Sequence, residues 1–365
     1  MSKKEKRPCK KNKKFYTACI ITIITCFVFL GGLYAIVNNF ISEPVVPDYV
    51  IFEFPVLEDE KNLAEFPASI IVDDEDIVSD LLATAPEVRT EIFERTPGVF
   101  TFLLYGKDEG LNLDSIMVAA FDTNDRSIHL ISLPRDTRVE SNRRVGLRKL
   151  VASYASGRSQ GRGHEGGIER LFTEISTLIG FTPDFYVGID MRAFVRVIDG
   201  IGGVTVNVPF HMRYNDPYQN LHIDIPAGER RLTGQQALHF ARFRQADSGF
   251  RSITDYQRME NQQIILAAIL NEVLSPRSIT QIPTFIDIYQ EHVTTNISNS
   301  DLIWFGTDVV LNGIDSFETH TLPIARTERN GWYEMPDRNG ILELINRTIN
   351  PFTRDITAEM LRIVS

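Results

Sequence analysis

Arg135 stands in Leu-Pro-Arg-Asp at 133–136, directly after a stretch, 127–133, that alternates like a strand. Its preceding proline cannot continue a sheet ladder. Arg242 and Arg244 stand two apart in Ala-Arg-Phe-Arg, a spacing that aims both the same way on an extended chain. Asp255, Arg258 and Gln262 fall at i, i+3 and i+7 and share one face of a helix. Asp108 and Asp114 sit in a polar gap between two apolar runs, 99–105 and 115–121. Guanidinium forks bind phosphate oxygens bidentately. Carboxylates hold Mg²⁺ through one or two oxygens and leave the other positions to water and substrate phosphate. Together these groups suit phosphoryl transfer, in which catalysis is mostly positioning and charge neutralisation. Taken singly, each has a structural use: Asp255 as a helix cap, the paired aspartates as turn formers, the arginines as solvated surface. Other chemistries have little to work with. All three cysteines lie within the first 26 residues, and there is no GxSxG or HExxH.

The elements that must hold these side chains read as a single three-layer α-β-α domain with a mixed central β-sheet. Strands are expected at 99–105, 115–121, 127–133, in Asp-Phe-Tyr-Val-Gly-Ile from 184, and in Gly-Gly-Val-Thr-Val-Asn-Val-Pro-Phe. Helical periodicity covers 168–179, and Met-Arg-Ala-Phe-Val-Arg-Val-Ile-Asp ends in glycines. A short helix follows Thr233, its expected cap, and a long one runs from 255 to 274 before Pro276. Further helices are expected at 279–289, 299–311 and 338–349. Strands alternating with helices imply a sheet covered on both faces.

Charge divides the chain. Residues 1–14 carry eight basic side chains and one acidic, net +7. Residues 15–41 carry no charged side chain, and 42–96 are net −12. About −5 remains for 97–365. The run 15–37 is 23 residues, which as a helix reaches about 35 Å, enough to cross the hydrocarbon core. Basic residues before it place the N-terminus in the cytoplasm and the rest outside, a single-pass cell-membrane protein. The basic tail then faces anionic lipid headgroups, and no feature points to nucleic acid. The expected organisation is a cytoplasmic tail (1–14), a transmembrane helix (15–37), an acidic extracytoplasmic stalk (38–96), a catalytic domain (97–350) and a C-terminal tail (351–365). Short helices at 77–83 and 87–94 are expected within the stalk.

Seven landmarks in order carry a resemblance: GKD (106–108), LDS (113–115), SLPRD (132–136), RKLVASYASG (148–157), GIDMRAFVRVIDGIGGVTVNVP (188–209), LHIDIPAGERRLTGQQALHFARFR (221–244) and DYQRMENQQ (255–263). In these the chain resembles the LytR-CpsA-Psr family of bacterial wall-polymer ligases. The resemblance implies a Mg²⁺-dependent phosphotransferase. It would move a phosphate-linked glycopolymer, of teichoic acid or capsule type, from a polyprenyl pyrophosphate lipid to peptidoglycan. Asp108 and Asp114 match the magnesium-associated carboxylates. Arg135, Arg242, Arg244 and Arg258 match the pyrophosphate clamp, joined by Lys149 and Gln262. Asp255 stands where a carboxylate could accept a proton from the incoming hydroxyl. The chain departs from the pattern at Asn112-Leu113-Asp114, where Arg-Ser-Asp is usual, at Lys149-Leu150-Val151 for Lys-Ile-Asn, and at Asn261 for arginine. About four residues are inserted between Arg244 and Asp255. Helices carrying Leu171, Ile175 and Leu178, or Phe194 and Val197, or Ile265, Ile269 and Val273, are candidates to line a lipid groove. His164 is expected in a loop. A pyrophosphate hydrolase with water as acceptor, or a non-catalytic wall-polymer binding or regulatory protein, are the alternatives.

Overall fold

The structure, a computed structural model, describes residues 42–55, 70–72, 88–107, 113–139, 148–218, 221–274, 293–329 and 332–363. The membrane run, Asp108, Asn112 and the helices expected at 77–83 and 279–289 lie outside the described residues. Among the described residues no helix is long and apolar enough to cross a membrane. The described residues divide into two compact units, the first holding 42–45 and 298–307 and the second all the others. In the first, Ser298 opens a helix by accepting from the Asp301 N–H at 3.1 Å, while its own hydroxyl donates to the Asp301 carboxylate at 2.7 Å. The second unit carries the architecture that follows, apart from residues 299–307 of the helix Asn299–Asn312.

Strands β1 (Tyr49–Pro55), β2 (Ile70–Val72) and β3 (Val88–Glu94) form a small antiparallel sheet in the order β2-β1-β3. The stretch 87–94, expected as a helix, is therefore a strand. It pairs along its whole length with β1, and its β-branched and aromatic residues suit that pleated surface. Phe93 is fully buried and meets Phe52 at 4.9 Å and Phe352 at 5.3 Å. The segment 351–363 packs inward as well, burying Phe352, Ile356, Leu361 and Ile363 in the main core.

Next come β4 (Val99–Lys107), β5 (Leu113–Asp122) and β6 (Ser127–Ser132). Helices α1 (Ser153–Gly157) and α2 (Gly163–Ile179) lead to β7 (Phe185–Asp190) and α3 (Met191–Gly200). Two hairpin pairings use β8 (Val204–Val208), β9 (Met212–Asp216), β10 (Leu221–Ile225) and β11 (Gly228–Leu232), as β8·β11 and β9·β10. Helices α4 (Gly234–Arg242) and α5 (Asp255–Val273) follow. The chain then forms β12 (Val293–Thr295), α6 (Asn299–Asn312), β13 (Ser316–Thr321), β14 (Ile324–Glu328), β15 (Tyr333–Pro336) and α7 (Arg338–Thr348).

The central sheet has the order β12-β7-β4-β5-β6-β13 and is mixed. β7 runs parallel to β4 and β13 parallel to β6, while β5 and β12 run antiparallel to their neighbours. Its two faces bury different partners. Val118, Ala120 and Ile131 pack with Leu171 and Ile175 of α2 and with Ile341 and Ile345 of α7. Met117, Ala119 and Leu130 pack with Leu266 of α5. Alternation along each strand sends neighbouring residues to opposite faces, so both must be covered. A separate cluster joins α3, α4 and α5 to the hairpins through Ile198, Val206, Leu232, Phe240 and Ile265. Leu171, Ile175, Leu178 and Ile265, weighed above as a lipid groove, are packed core side chains. His164 belongs to the first turn of α2 rather than a loop, and its Nδ1 lies 2.8 Å from the Tyr154 hydroxyl.

A buried ion pair locks the start of β4 to β7. The Asp184 carboxylate accepts from Arg95 at 2.7 Å, from the Thr101 N–H at 2.8 Å and from the Thr101 hydroxyl at 2.7 Å. Both charged side chains are 7% exposed or less. Asp184→Ala would leave the Arg95 guanidinium buried and unpaired. We expect a loss of about 3–5 kcal/mol in chemical denaturation. A loss within about 0.5 kcal/mol would mean that Arg95 finds water or another acceptor.

Candidate active site

β5 and β6 run antiparallel, so the start of β5 and the end of β6 meet at the same end of the strands. This end carries Asp114 on β5 and Arg135 just beyond β6. The turn holding Arg135 is tied on every side. Leu133 N–H donates to Ile116 C=O at 2.9 Å, Thr137 N–H to Pro134 C=O at 3.0 Å, and Val151 N–H to Arg135 C=O at 2.9 Å. β15 braces it as well: Glu334 N–H donates to Asp136 C=O, and Arg138 N–H to Glu334 C=O. A backbone so constrained leaves the arginine few directions to point.

Helix α5 brings the next pair. Thr254 caps it, accepting from the Gln257 N–H while the Gln257 side chain accepts from the Thr254 N–H. Asp255 is therefore the first helical residue, next to the positive end of the helix dipole, and not the cap. One turn on, Arg258 is buried, and its Nη2 lies 3.0 Å from Asp255 Oδ1. Arg135 Nη2 reaches the same oxygen at 3.7 Å and Arg244 Nε at 3.9 Å. Arg135 also stands 3.9 Å from Asp114 Oδ1. Three guanidinium groups from three chain segments thus gather on one carboxylate. A small cavity opens beside them, lined by Asp114, Ser115, Ile116, Ser132, Leu133, Arg135, Asp255, Arg258, Met259 and Gln262.

The electrostatics follow from burial. Desolvation pushes Arg258 below the ordinary arginine range and Asp255 pulls it back up; Arg135 pushes down again. Asp255 Oδ1, Arg258 Nε and Gln262 Oε1 are buried with no hydrogen bond. A cavity edged by unsatisfied donors and acceptors favours a polar, charged occupant.

α5 also sets the approach of Arg244. Asn261 Nδ2 donates to Phe240 C=O at 3.3 Å, and Gln262 Nε2 lies 3.5 Å from Ala241 C=O. Both hold the end of α4. At the other end, Gly234 lets the start of α4 pack against α3, since a Cβ would meet the Val195 carbonyl oxygen at 2.1 Å. Thr233 caps α4 in a full capping box, as its position suggests. The loop between Arg244 and Asp255, which holds the inserted residues, is closed by Ile253 N–H to Arg244 C=O at 2.8 Å.

The sequence candidates separate into groups. Arg135, Arg244, Asp255, Arg258, Gln262 and Asp114 converge. Arg242 is not among the residues that line the cavity. It is the last residue of α4, so the two-residue spacing of an extended chain does not apply across 242–244. Lys149 bonds Asp136 at 2.9 Å and lies over the Tyr333 ring, beside the Arg135 turn but off the cavity wall. Asp108 lies outside the described residues. Sequence reading missed Asp136, Tyr256, Glu334, Ser115 and Ser132. Asp136 sits within the Leu-Pro-Arg-Asp motif and was open to inspection. Tyr256 and Glu334 interact across 78 positions, a pairing with no local signal. Burial first, and then Glu334, push the Tyr256 hydroxyl up to about 12.

The donor chemistry suits a hard cation in part. Asp114 supplies a carboxylate at the cavity, one third exposed. Asp255, held by three arginines, is a poorer ligand.

Comparison with known proteins bears on both fold and family. The chain is 27% identical to the polyisoprenyl-teichoic acid–peptidoglycan teichoic acid transferase TagV of Bacillus subtilis over 276 residues, 72% of this chain and 66% of that protein. It is 26% identical to the regulatory protein MsrR of Staphylococcus aureus over 236 residues, 63% of this chain and 66% of that one. The match therefore spans just under two thirds of each relative. The crystal structure of B. subtilis TagV superposes with a TM-score of 0.55 at 24% identity, covering 68% of this chain and 95% of that one. A structure described as TagT bound to LIIa-WTA gives 0.54 at 22% identity, covering 68% and 88%. At these identities the structural likeness speaks to the fold alone, the same mixed α/β architecture. The LytR_cpsA_psr family profile matches residues 77–349, and on that match the chain belongs to the LytR_cpsA_psr family.

Proposed function

We propose that this protein is a membrane-anchored extracytoplasmic phosphotransferase that moves a phosphate-linked glycopolymer from a polyprenyl pyrophosphate to peptidoglycan. The observation that carries the reading is the convergence of Arg135, Arg244 and Arg258 on Asp255 at the mouth of a cavity that also holds Asp114. The names of its relatives support a wall-polymer substrate. Charge neutralisation by several fixed guanidiniums is what a pyrophosphate needs on binding and on cleavage.

In this scheme the arginines bind the pyrophosphate oxygens. An acceptor sugar hydroxyl attacks the phosphorus nearest the polymer, a new P–O bond forms, and the bond to the lipid phosphate breaks. Asp255 Oδ1, buried among the three guanidiniums, takes the hydroxyl proton as they turn to the phosphate. Arg258, whose guanidinium faces both Asp255 and the cavity, keeps that carboxylate oriented. Asp114, with Asp108, would hold Mg²⁺, which when bound adds positive charge at the phosphate oxygens. Gln262 presents its amide to the same space while bracing α4. Lys149 supports the clamp through Asp136 and the Arg135 turn. Arg242 is kept as a candidate for more distant parts of the anionic polymer.

The relatives named as regulatory keep a second reading in view, a wall-polymer binding protein without turnover. The two differ on catalysis. With a synthetic polyprenyl-pyrophosphate donor and peptidoglycan, Arg135→Ala should lower transfer about 10²–10³-fold. A binding protein would show no covalent product in the wild type. Asp255→Asn should lower the rate about 10²–10⁴-fold with an unchanged circular dichroism melt, the usual size of a lost acid–base contribution. Near-full transfer by that variant would remove Asp255 from proton transfer. Asp114→Ala and Asp108→Ala should each abolish any response of the rate to added Mg²⁺. Release of lipid phosphate at equal rates with and without peptidoglycan would favour a hydrolase instead.

A further inference from the structure

β6 and β13 pair in parallel with His129 opposite Glu318, and Glu318 and His320 are two apart on β13. Register and alternation therefore put all three side chains on one face of the sheet, the face covered by α2 and α7. Their donor atoms lie within 4.8 Å of one another. His129 Nδ1 stands 3.8 Å from Glu318 Oε2, and His320 Nε2 stands 3.6 Å from the same oxygen. Those two nitrogens are the ones buried without any hydrogen-bond partner. The imidazoles are 20% exposed and stacked 6.0 Å apart, while Glu318 remains 57% exposed.

We propose that His129, Glu318 and His320 form a binding site for a transition-metal dication of the zinc type. Two imidazole nitrogens and one carboxylate oxygen are a donor set suited to such an ion and poorly suited to Mg²⁺. Tetrahedral Zn²⁺ with bonds of about 2.1 Å needs donors about 3.4 Å apart. The observed 3.6 and 3.8 Å are close to that and the exposed Glu318 can close them, while the two nitrogens, within 4.8 Å of each other, need at most about 1.4 Å of imidazole movement. A simple ion pair explains less. It would leave each orphaned nitrogen short of hydrogen-bond distance from the carboxylate. Burial and the neighbouring His129 push His320 below the ordinary histidine range, although Glu318 raises it, and Arg347 of α7 lowers it further. The neutral imidazole is the form that ligates. The backbone is held too: His320 C=O accepts from Gln263 Nε2 at 2.9 Å, and that same nitrogen donates to the Ser132 hydroxyl.

None of the three residues lines the arginine cavity. Bound metal would tie edge strand β13 to β6, the strand that ends at the Arg135 turn. Three protein ligands leave a fourth position for water or a substrate oxygen.

The test uses the full chain in detergent, stripped with a chelator and titrated with Zn²⁺ against a chromophoric competitor. One Zn²⁺ per chain is expected, and Co²⁺ substitution should give visible absorption of tetrahedral type. His129→Asn and His320→Gln should each weaken Zn²⁺ at least tenfold, and Glu318→Gln should do so less severely. His211→Ala, distant in sequence and paired with Asp224, should bind as the wild type does. Added Zn²⁺ should raise the melting temperature of the wild type and not of the His129→Asn/His320→Gln double variant. Unchanged Zn²⁺ stoichiometry in that double variant, no binding by the wild type, or displacement by equimolar Mg²⁺ would each overturn the site.

Discussion

Like charges must be brought together to make an anion site, and the folded chain needs something to hold them before the anion arrives. Asp255 does this here. Its carboxylate lies within 4 Å of Arg135, Arg244 and Arg258, which come from a strand-end turn, a loop and a helix face. Without that carboxylate, three guanidiniums would repel one another in a partly buried space where charge is weakly screened. Burial already presses Arg258 toward neutrality, and Asp255 is the largest influence opposing it. An arriving phosphate would take over part of this neutralising work.

The surrounding fold serves that juxtaposition. The antiparallel pairing of β5 and β6 puts Asp114 and Arg135 at the same end of the strands. The Thr254 capping box fixes where α5 begins and so where Asp255 and Arg258 stand. Asn261 is a brace: its amide holds the end of α4. The β14–β15 hairpin, remote in sequence, closes the Arg135 turn from the other side through Glu334.

Much of this was legible beforehand because it is local. The spacing of Asp255, Arg258 and Gln262 is helical, and α5 puts all three on the cavity. Alternation and apolar runs located β4, β5, β6 and β7 to within about two residues. The misreadings are also physical. The stretch 87–94 has enough charge to look helical, yet β1 offers it a full pairing partner and Phe93 a buried slot. The extended-chain spacing read for Arg242 and Arg244 does not describe them, because the first residue ends a helix. Apolar side chains on α2 fit a core or a lipid groove equally by spacing, and the sheet beneath them uses them as core.

By itself, the sequence determined the mixed α/β class, the order of the landmarks and the residue types able to neutralise phosphate, since these rest on periodicity, capping and side-chain chemistry within a few positions. Tertiary structure alone decided which arginines meet. Convergence depends on strand register, on helix ends and on contacts between residues more than a hundred positions apart, such as Arg135 and Asp255. The same holds for His129 with Glu318 and His320. A parallel pairing of β6 with β13 makes neighbours of side chains that nothing in the linear order connects.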